Sequence, residues 1–321
     1  MASVIVRPAG WIPERHVTPE SVFWNRRRVV KSLGLAGLSG LVAGVGVGRV
    51  GGAPAPSAAG PYAKGYPHAR AAGFDPGWSL TDEAVASKYN NFYEFTLSKD
   101  VYKRVAKFET APWKLEVGGL VESPLTLDAA ELIDGMALEE RVYRFRCVEA
   151  WAMIVPWTGF PLAKLVERVK PKPEARFVRF VTAAKRDEMP GIAENPEYPW
   201  PYFEGLRLDE ALHPLTMVVT GVYGKPLPRQ FGAPIRVVVP WKYGYKSPKS
   251  IVKIEFVANQ PKTFWETLIP REYPFESNVD PGVPHPRWSQ ATERMIDTGD
   301  RVKTKKYNGY AEQVARLYPS A

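Results

Sequence analysis

The sequence predicts an α+β fold with mixed β-sheets, long ordered loops and few helices. Apolar residues make up 45% and aromatic residues 12% of the 321 residues, which is typical of a globular protein with a full core. The chain has 31 prolines, and proline disfavours helix interiors while it suits turns and ordered loops. Short segments with strand character outnumber helical patterns, so sheets joined by structured loops are expected.

Two segments carry helical signals. Leu127–Ile133 has acidic side chains early and is followed by Gly135, which predicts a short helix. Pro161–Val169 has apolar side chains at positions 162, 165, 166 and 169, which share one face of a helix. Because proline suits the first turn, a second helix is predicted there.

Five segments are predicted to be strands. In the last of them Val252, Ile254 and Phe256 alternate with charged residues, as on a strand with one buried face. Long proline-containing connections over residues 189–202 and 223–234 join the strands. The predicted strands are Val142–Arg146, Arg176–Thr182, Thr216–Thr220, Ile235–Val239 and Ser250–Val257.

The first 59 residues have the composition of an export signal. Arginines at 26–28 precede a weakly apolar stretch, Ser32–Gly48, whose 17 residues are short for a membrane span. Paired arginines before such a stretch are typical of twin-arginine export, which carries folded proteins. We expect a signal peptide over residues 1–59 that is cleaved, a single domain over residues 60–321 and a periplasmic location. A retained membrane anchor is the alternative.

The net charge does not indicate a nucleic-acid-binding protein. Residues 1–59 hold seven Lys and Arg against two Asp and Glu, a net +5, which leaves +4 of the total +9 for residues 60–321. A charge this small predicts no nucleic-acid partner. The sequence also lacks the glycine-rich loops of nicotinamide and ATP sites.

Cys147 is the only cysteine of the chain. In an exported protein it cannot form an internal disulfide, so it is a buried thiol, an intermolecular link, a nucleophile or a ligand for a soft metal. A nucleophile needs an activating histidine, and His213 and His285 each precede a proline, which favours turns. The ligand patterns of zinc and calcium sites are missing. A soft metal held mainly by an organic chelate needs only one protein thiolate.

A second segment has side chains that such a chelate would require. Arg236–Ser250 contains four cations, two serines and three aromatic residues within fifteen positions. Arginine, lysine, serine and loop amides together can bind a phosphate, such as that of a pterin cofactor. An amphipathic strand followed by a basic turn is the alternative interpretation.

Four stretches resemble a known family. Arg144–Leu162, around Cys147, resembles the molybdenum-cysteine motif of the sulfite oxidase superfamily. It is more similar still to that of the bacterial periplasmic protein-methionine-sulfoxide reductase catalytic subunits. Tyr89–Phe95, Pro240–Lys249 and His285–Arg294 resemble other segments of the same family.

The resemblance implies a sulfite-oxidase-type domain that binds one molybdenum per chain as Mo-molybdopterin. Cys147 would ligate the metal together with dithiolene sulfurs and an oxygen. One position departs from the family, since Phe231 stands where asparagine is frequent, and Gln230 is a candidate to replace its polar contact. The implied cofactor-binding residues are Asn90, Asn91, Tyr93, Glu94, Thr182, Arg236, Ser247, Pro248 and Lys249.

The implied activity is the reduction of methionine sulfoxide, free or in oxidised periplasmic proteins, by oxygen-atom transfer. Electrons would come from a membrane haem-containing subunit, which would form a heterodimer with this chain as the monomeric catalytic subunit. Glu149, two residues from Cys147, is the second candidate catalytic residue, because it could relay protons. An ion pair with Arg144 or Arg146 is its alternative role.

Aromatic residues suit a substrate that carries a thioether or a sulfoxide. The candidates for a substrate mouth, each with core packing as the alternative, are Trp151, Trp157, Trp200 and Tyr202. Two other functions stay open. An oxidase of sulfite or another small oxyanion would use the same fold and cofactor with a cationic pocket. A non-catalytic periplasmic binding protein would only bury Cys147.

Overall fold

A long antiparallel hairpin of β3 (Glu139–Arg146) and β4 (Trp151–Pro161) is the centre of the larger of two sheets. The structure, a computed structural model, describes residue 62 and residues 65–319. The predicted export signal and its cleavage point lie outside these residues. β4 is buried along nearly its whole length because its sequence is a continuous apolar run rather than an alternating one.

The larger sheet has seven strands within the described part of the chain. β7 (Met217–Val222) lies antiparallel to β4, whereas β11 (Thr292–Met295) runs parallel to the start of β4 and pairs Arg294 with Trp151. The loop between β3 and β4, residues 147–150, therefore lies beside β11. The other five strands are β7 (Met217–Val222), β8 (Lys225–Pro226), β9 (Arg236–Val238), β11 (Thr292–Met295) and β12 (Arg301–Lys303).

The smaller sheet has five described strands in the order β2, β1, β10, β5, β6. β1 and β10 are parallel and the other neighbours are antiparallel, so both sheets are mixed, as the sequence predicts. The strands are β1 (Lys114–Gly119), β2 (Leu125–Asp128), β5 (Phe177–Thr182), β6 (Phe203–Arg207) and β10 (Ile251–Val257).

The helices among these residues are short, and the longest has eight residues. None of them has the length and apolar character needed to cross a membrane. Short helices around mixed sheets confirm the predicted α+β class. The helices are α1 (Glu83–Ala86), α2 (Ala129–Asp134), α3 (Leu162–Val169), α4 (Pro190–Glu194), α5 (Leu208–Leu212), α6 (Phe264–Leu268) and α7 (Ala311–Val314).

Both predicted helices are present with later starts. α2 begins at Ala129 because Asp128 caps it, accepting the Ala130 amide at 2.8 Å, and Glu131 completes the capping box. Leu127 belongs to β2 instead. α3 begins after its proline, and its four predicted apolar side chains are buried.

The five predicted strands are confirmed, with one error in the predicted faces. In β10, Ile254 and Phe256 are buried, but Val252 is only half-buried while Ile251 is buried. The pairing with β5 shifts register between Ile251 and Lys253, which turns Val252 away from the core. The strands β1, β2, β4, β6, β8, β11 and β12 are not among those predicted from the sequence.

Candidate functional site

A cavity of about 570 Å³ opens beside the loop at the end of the β3–β4 hairpin. Its wall comes from separate parts of the chain: residues 90–94, the hairpin loop at 147–149, residues 244–249 and side chains between 265 and 288. The fold therefore brings together three of the four stretches on which the family resemblance rests, and part of the fourth.

Cys147 is the first residue of the hairpin loop and is 7% exposed at the cavity wall. Its Sγ accepts hydrogen bonds from the Glu149 amide at 3.4 Å and from the Asn91 side chain at 3.5 Å. Burial, and then the Glu149 carboxylate, raises the pKa of Cys147 to about 12. A thiolate at this position therefore needs an added cation, which a bound metal would supply.

The two histidines considered as activating bases make other contacts. His285 stacks on Trp288, with ring centroids 3.7 Å apart, and its Nε2 lies 3.3 Å from a Glu272 oxygen. His213 packs edge-on against Trp241 at 5.2 Å. These contacts explain both side chains without a nucleophilic thiol.

Glu149 is fixed by three donors. Lys99 Nζ lies 2.5 Å from one carboxylate oxygen, to which the Trp151 indole also donates at 2.9 Å. The Tyr93 hydroxyl donates to the other oxygen at 3.1 Å. Burial opposes the charged form, but Lys99 and the hydrogen bonds hold the pKa of Glu149 below its usual value. Glu149 is therefore ionised at neutral pH.

The ion pair expected for Glu149 with Arg144 or Arg146 is not formed. Both arginines instead bind the buried Glu293, Arg146 through its Nε at 2.9 Å and Arg144 through a close Nη2 contact. The sequence predicts the wrong partner because Lys99 and Glu293 are distant from the motif along the chain.

The four cations of Arg236–Ser250 are of two kinds. Lys242 forms a fully buried ion pair with Glu210, at 2.6 Å. Lys246 pairs in the same way with Glu204, at 2.8 Å. These two lysines are neutralised within the fold, so they are structural rather than candidate ligands for a phosphate.

Arg236 and Lys249 line the cavity, and neither has an ion pair with a carboxylate of the described residues. Arg236 is 1% exposed and donates to the carbonyls of Phe231 at 2.9 Å and Ser247 at 3.1 Å. Burial lowers the pKa of Arg236 to about 9, and burial together with Arg236 lowers that of Lys249 to about 7. Lys249 is half-buried and interacts with the buried Glu94 carboxyl, so two cations face one acidic group, which favours an anion in the cavity.

The segment 90–94 adds polar groups to the wall. Asn90 is buried, and its Nδ2 donates to the Ala86 carbonyl at 3.2 Å, while its Oδ1 has no partner among the described residues. A buried amide oxygen without a donor is unfavourable, so a donor on a bound molecule would satisfy it. Burial also raises the pKa of Glu94 to about 7.

Of the cofactor-binding residues implied by the resemblance, all except Thr182 line the cavity. Thr182 lies behind Glu94, to which its hydroxyl donates at 3.2 Å. Ser247 lines the cavity, and its Oγ accepts the Val239 amide at 3.1 Å.

Phe231 is buried at the cavity wall, where its ring meets Trp157 at 5.8 Å. Gln230 does not replace the missing polar contact, since it donates to the Ser87 carbonyl at 3.3 Å. Gly232 follows with φ +97°, and a Cβ there would lie 2.5 Å from that of Lys249, so glycine is required.

The mouth of the cavity is aromatic. Of the four predicted mouth residues, Trp151 and Tyr202 line it, whereas Trp157 is in the core and Trp200 packs on Phe264 at 5.1 Å. The missed residues are scattered, and only the stretches at 240–249 and 285–294 could have indicated two of them, Tyr245 and Trp288. They are Tyr198, Tyr245, Trp265, Tyr273 and Trp288.

Within residues 65–319 no three His, Cys, Asp or Glu side chains gather as a metal site. The cavity offers one thiol, two cations with only the Glu94 carboxyl beside them and one unsatisfied amide oxygen. This set fits a metal that takes one ligand from the protein and the rest from an anionic organic chelate, as in Mo-molybdopterin.

Residues 102–265 match the family model of the oxidoreductase molybdopterin binding domain. The sequence is 47% identical to the protein-methionine-sulfoxide reductase catalytic subunits of Xanthomonas axonopodis pv. citri and Burkholderia mallei. The matches cover 97% and 96% of this chain and 96% and 93% of those relatives. The sulfane dehydrogenase SoxCD structure from Paracoccus pantotrophus is 14% identical, with a TM-score of 0.44 over 75% of this chain and 63% of that chain.

We expect Glu149→Gln to accelerate the alkylation of Cys147 in the metal-free chain. The substitution removes a charge that raises the thiol pKa and leaves Lys99 to lower it, so more thiolate forms at a given pH. In the wild type the rate should rise about tenfold per pH unit throughout the alkaline range below the thiol pKa. Mass spectrometry reports the reaction cleanly because the chain has one cysteine.

Glu194→Gln is the matched control for this measurement, since its exposed carboxylate binds Arg104 outside the cavity. It should leave the alkylation rate unchanged. Equal rates in the wild type and Glu149→Gln would show that the carboxylate does not control the thiol.

Proposed function

Because the chain belongs to the family of the protein-methionine-sulfoxide reductase catalytic subunits, we propose that it reduces methionine sulfoxide with Mo-molybdopterin. The observation that carries this function is the composition of one cavity. A buried thiol, two cations with a single acidic group, Glu94, beside them and an aromatic mouth face the same space. Oxidised periplasmic proteins and free methionine sulfoxide are the proposed substrates.

Cys147 would hold the metal through its thiolate, and Arg236 with Lys249 would bind the anionic pterin phosphate. The charge of the cofactor would stabilise both cations, whose pKa values burial lowers. Asn90 would accept a hydrogen bond through its unsatisfied Oδ1. When bound, the molybdenum supplies the capacity to take an oxygen atom from the sulfoxide.

Reduction of a sulfoxide consumes two electrons and two protons and yields a thioether and water. Glu149 is the proposed relay for the protons, because it lies two residues from Cys147 at the cavity wall and its side chain is 29% exposed. Its lowered pKa keeps it in the carboxylate form at neutral pH, so a proton that reaches it is passed on rather than held. Tyr93 and Trp151 orient the carboxylate by their hydrogen bonds.

The aromatic mouth suits a sulfoxide better than a small oxyanion. Trp265 and Tyr273 lie 5.1 Å apart there, and aromatic rings bind thioether groups favourably. Apart from Arg236 and Lys249, the described lining of the cavity has one cation, Arg287. It is paired with Glu272 at 2.7 Å. A sulfite oxidase would be expected to offer free cations at this position.

The proposed location is the periplasm, after twin-arginine export and cleavage near residue 59. The arginines at 26–28 and the stretch that follows them support this route. A single catalytic domain over residues 60–321 would receive electrons from a membrane haem-containing subunit. The relatives are named as catalytic subunits, which supports a partner subunit for this chain.

Chain purified from a host that makes the cofactor should contain about one molybdenum per molecule and reduce methionine sulfoxide when given electrons by a reduced dye. Cys147→Ser should lower turnover on the order of 100-fold or more, since the metal loses its thiolate. Elemental analysis and a turnover assay test both points.

Protein from such a host without molybdenum would refute the proposed function. Full activity in Cys147→Ser would refute the role of the thiol. Faster turnover of sulfite than of methionine sulfoxide would favour the oxyanion oxidase instead.

Glu149→Gln should keep its molybdenum but lower kcat on the order of 100-fold, because glutamine cannot carry a proton. The pH dependence of kcat should flatten as well. Lys99→Met is the control, since it removes the ion pair at 2.5 Å and keeps the carboxylate. A purely structural ion pair would make both variants equally impaired, and unchanged turnover in Glu149→Gln would remove it from the mechanism.

Trp265→Ala should raise KM for methionine sulfoxide about 2- to 10-fold, the value of a lost sulfur–aromatic contact, with little change in kcat. Trp78→Ala is the matched control, because Trp78 is half-buried against Tyr310 and outside the cavity. Steady-state kinetics of both variants give the KM and kcat that test this expectation. An unchanged KM in Trp265→Ala would exclude this ring from substrate binding.

A further inference from the structure

The His285–Arg294 motif contributes Arg287 and Trp288 to the wall of the cavity, and it also contacts the loop that carries Cys147. That loop spans only residues 147–150, and Ala150 adopts a positive φ of 63°. A residue with a side chain is strained in this region, so the loop needs support to keep its shape.

The motif holds two carbonyls of the loop. The indole of Trp288 and the side-chain amide of Gln290 both donate to the Val148 carbonyl, each at 2.7 Å. The backbone amide of Arg294 donates to the Ala150 carbonyl at 2.9 Å. The residues directly after Cys147 are therefore fixed from outside the hairpin.

Arg146 connects the motif to the residue that bears the thiol. Its guanidinium donates to the Cys147 carbonyl in a close contact and to Gln290 Oε1 at 2.8 Å, and its Nε binds Glu293. The Gln290 amide thus makes two hydrogen bonds: its oxygen accepts from Arg146, and its nitrogen donates to the Val148 carbonyl of the loop. Arg146 and Glu293 are fully buried and Gln290 is 1% exposed, so water does not compete for these bonds.

Trp288 is itself held in place. Its ring stacks on His285 at 3.7 Å with an interplanar angle of 11°, and Arg287 lies over it at 5.0 Å. Because the indole is fixed, its N–H is aimed at the Val148 carbonyl rather than free to rotate.

We propose that Trp288 and Gln290 are positioning residues, which fix the direction of the Cys147 sulfur by holding the next carbonyl of the chain. The inference rests on the proposed role of Cys147 as the metal ligand. Neither side chain needs to touch the sulfur, since the loop backbone cannot rotate without breaking their bonds. Groups that orient a metal ligand in this way change metal affinity or activity about 10- to 100-fold when removed.

The test uses the molybdenum-loaded enzyme and four variants. Trp288→Phe and Gln290→Leu remove the donors to Val148, while Gln290→Glu keeps an acceptor for Arg146, removes the donation and adds a negative charge. Trp113→Phe is the matched control, since Trp113 is a buried indole that donates to the Ile251 carbonyl at 2.8 Å outside the cavity. Molybdenum content, the electron paramagnetic resonance of Mo(V), kcat and Tm are measured for each.

Trp288→Phe and Gln290→Leu should shift or split the Mo(V) resonance and lower kcat about 10- to 100-fold with little change in KM. Gln290→Glu should change the resonance in the same direction. Trp113→Phe should keep the wild-type resonance and kcat even if its Tm falls. Loss of molybdenum from a positioning variant with unchanged Tm would also support the inference, because a loose ligand binds metal less tightly.

A wild-type resonance in loaded Trp288→Phe and Gln290→Glu would overturn the inference, and so would an equal change in Trp113→Phe. If Gln290→Leu does not fold, the other two variants decide. A wild-type chain without molybdenum would refute the proposed function itself, so the two failures are distinguishable.

Discussion

The fully buried ion pair between Arg146 and Glu293 determines where Cys147 lies. Charges at this depth are tolerated only with a partner, so the end of β3 and the start of β11 must meet. That meeting places a parallel strand beside β4 and closes one side of the hairpin loop. The thiol then faces the cavity from a short loop, which is held by hydrogen bonds to β4 on one side and to β11 on the other.

The other cations of this region are of two kinds: some are neutralised within the fold, and some face the cavity. Lys242 and Lys246 have carboxylate partners, so their charges are balanced within the fold without a ligand. Arg236 has no such partner, and the half-buried Lys249 has only the Glu94 carboxyl nearby, while Arg236 disfavours the charge of Lys249. This imbalance makes the cavity a place for an anion, which packing alone does not explain.

Much of the site could be predicted because its chemical groups lie in contiguous motifs around Cys147, Asn90 and Lys249. The sequence could not show which of the four cations of Arg236–Ser250 are neutralised, since the carboxylates that pair with two of them lie on other elements. Lys99 was missed as the partner of Glu149 for the same reason. In the fold, β4 escaped prediction because a strand buried on both faces has no alternation, whereas β10 has one and was found.

At Phe231 the loop around Arg236 relies on a backbone carbonyl and on the exclusion of water more than on an amide side chain. The Phe231 carbonyl accepts from Arg236 at 2.9 Å, which any residue could offer. Its ring packs with Trp157, and that indole lies 4.9 Å from the Arg236 guanidinium. An apolar ring here excludes water from the cation, so the electrostatic attraction for an anion increases. The departure from asparagine thus strengthens the requirement for a negatively charged cofactor instead of weakening it.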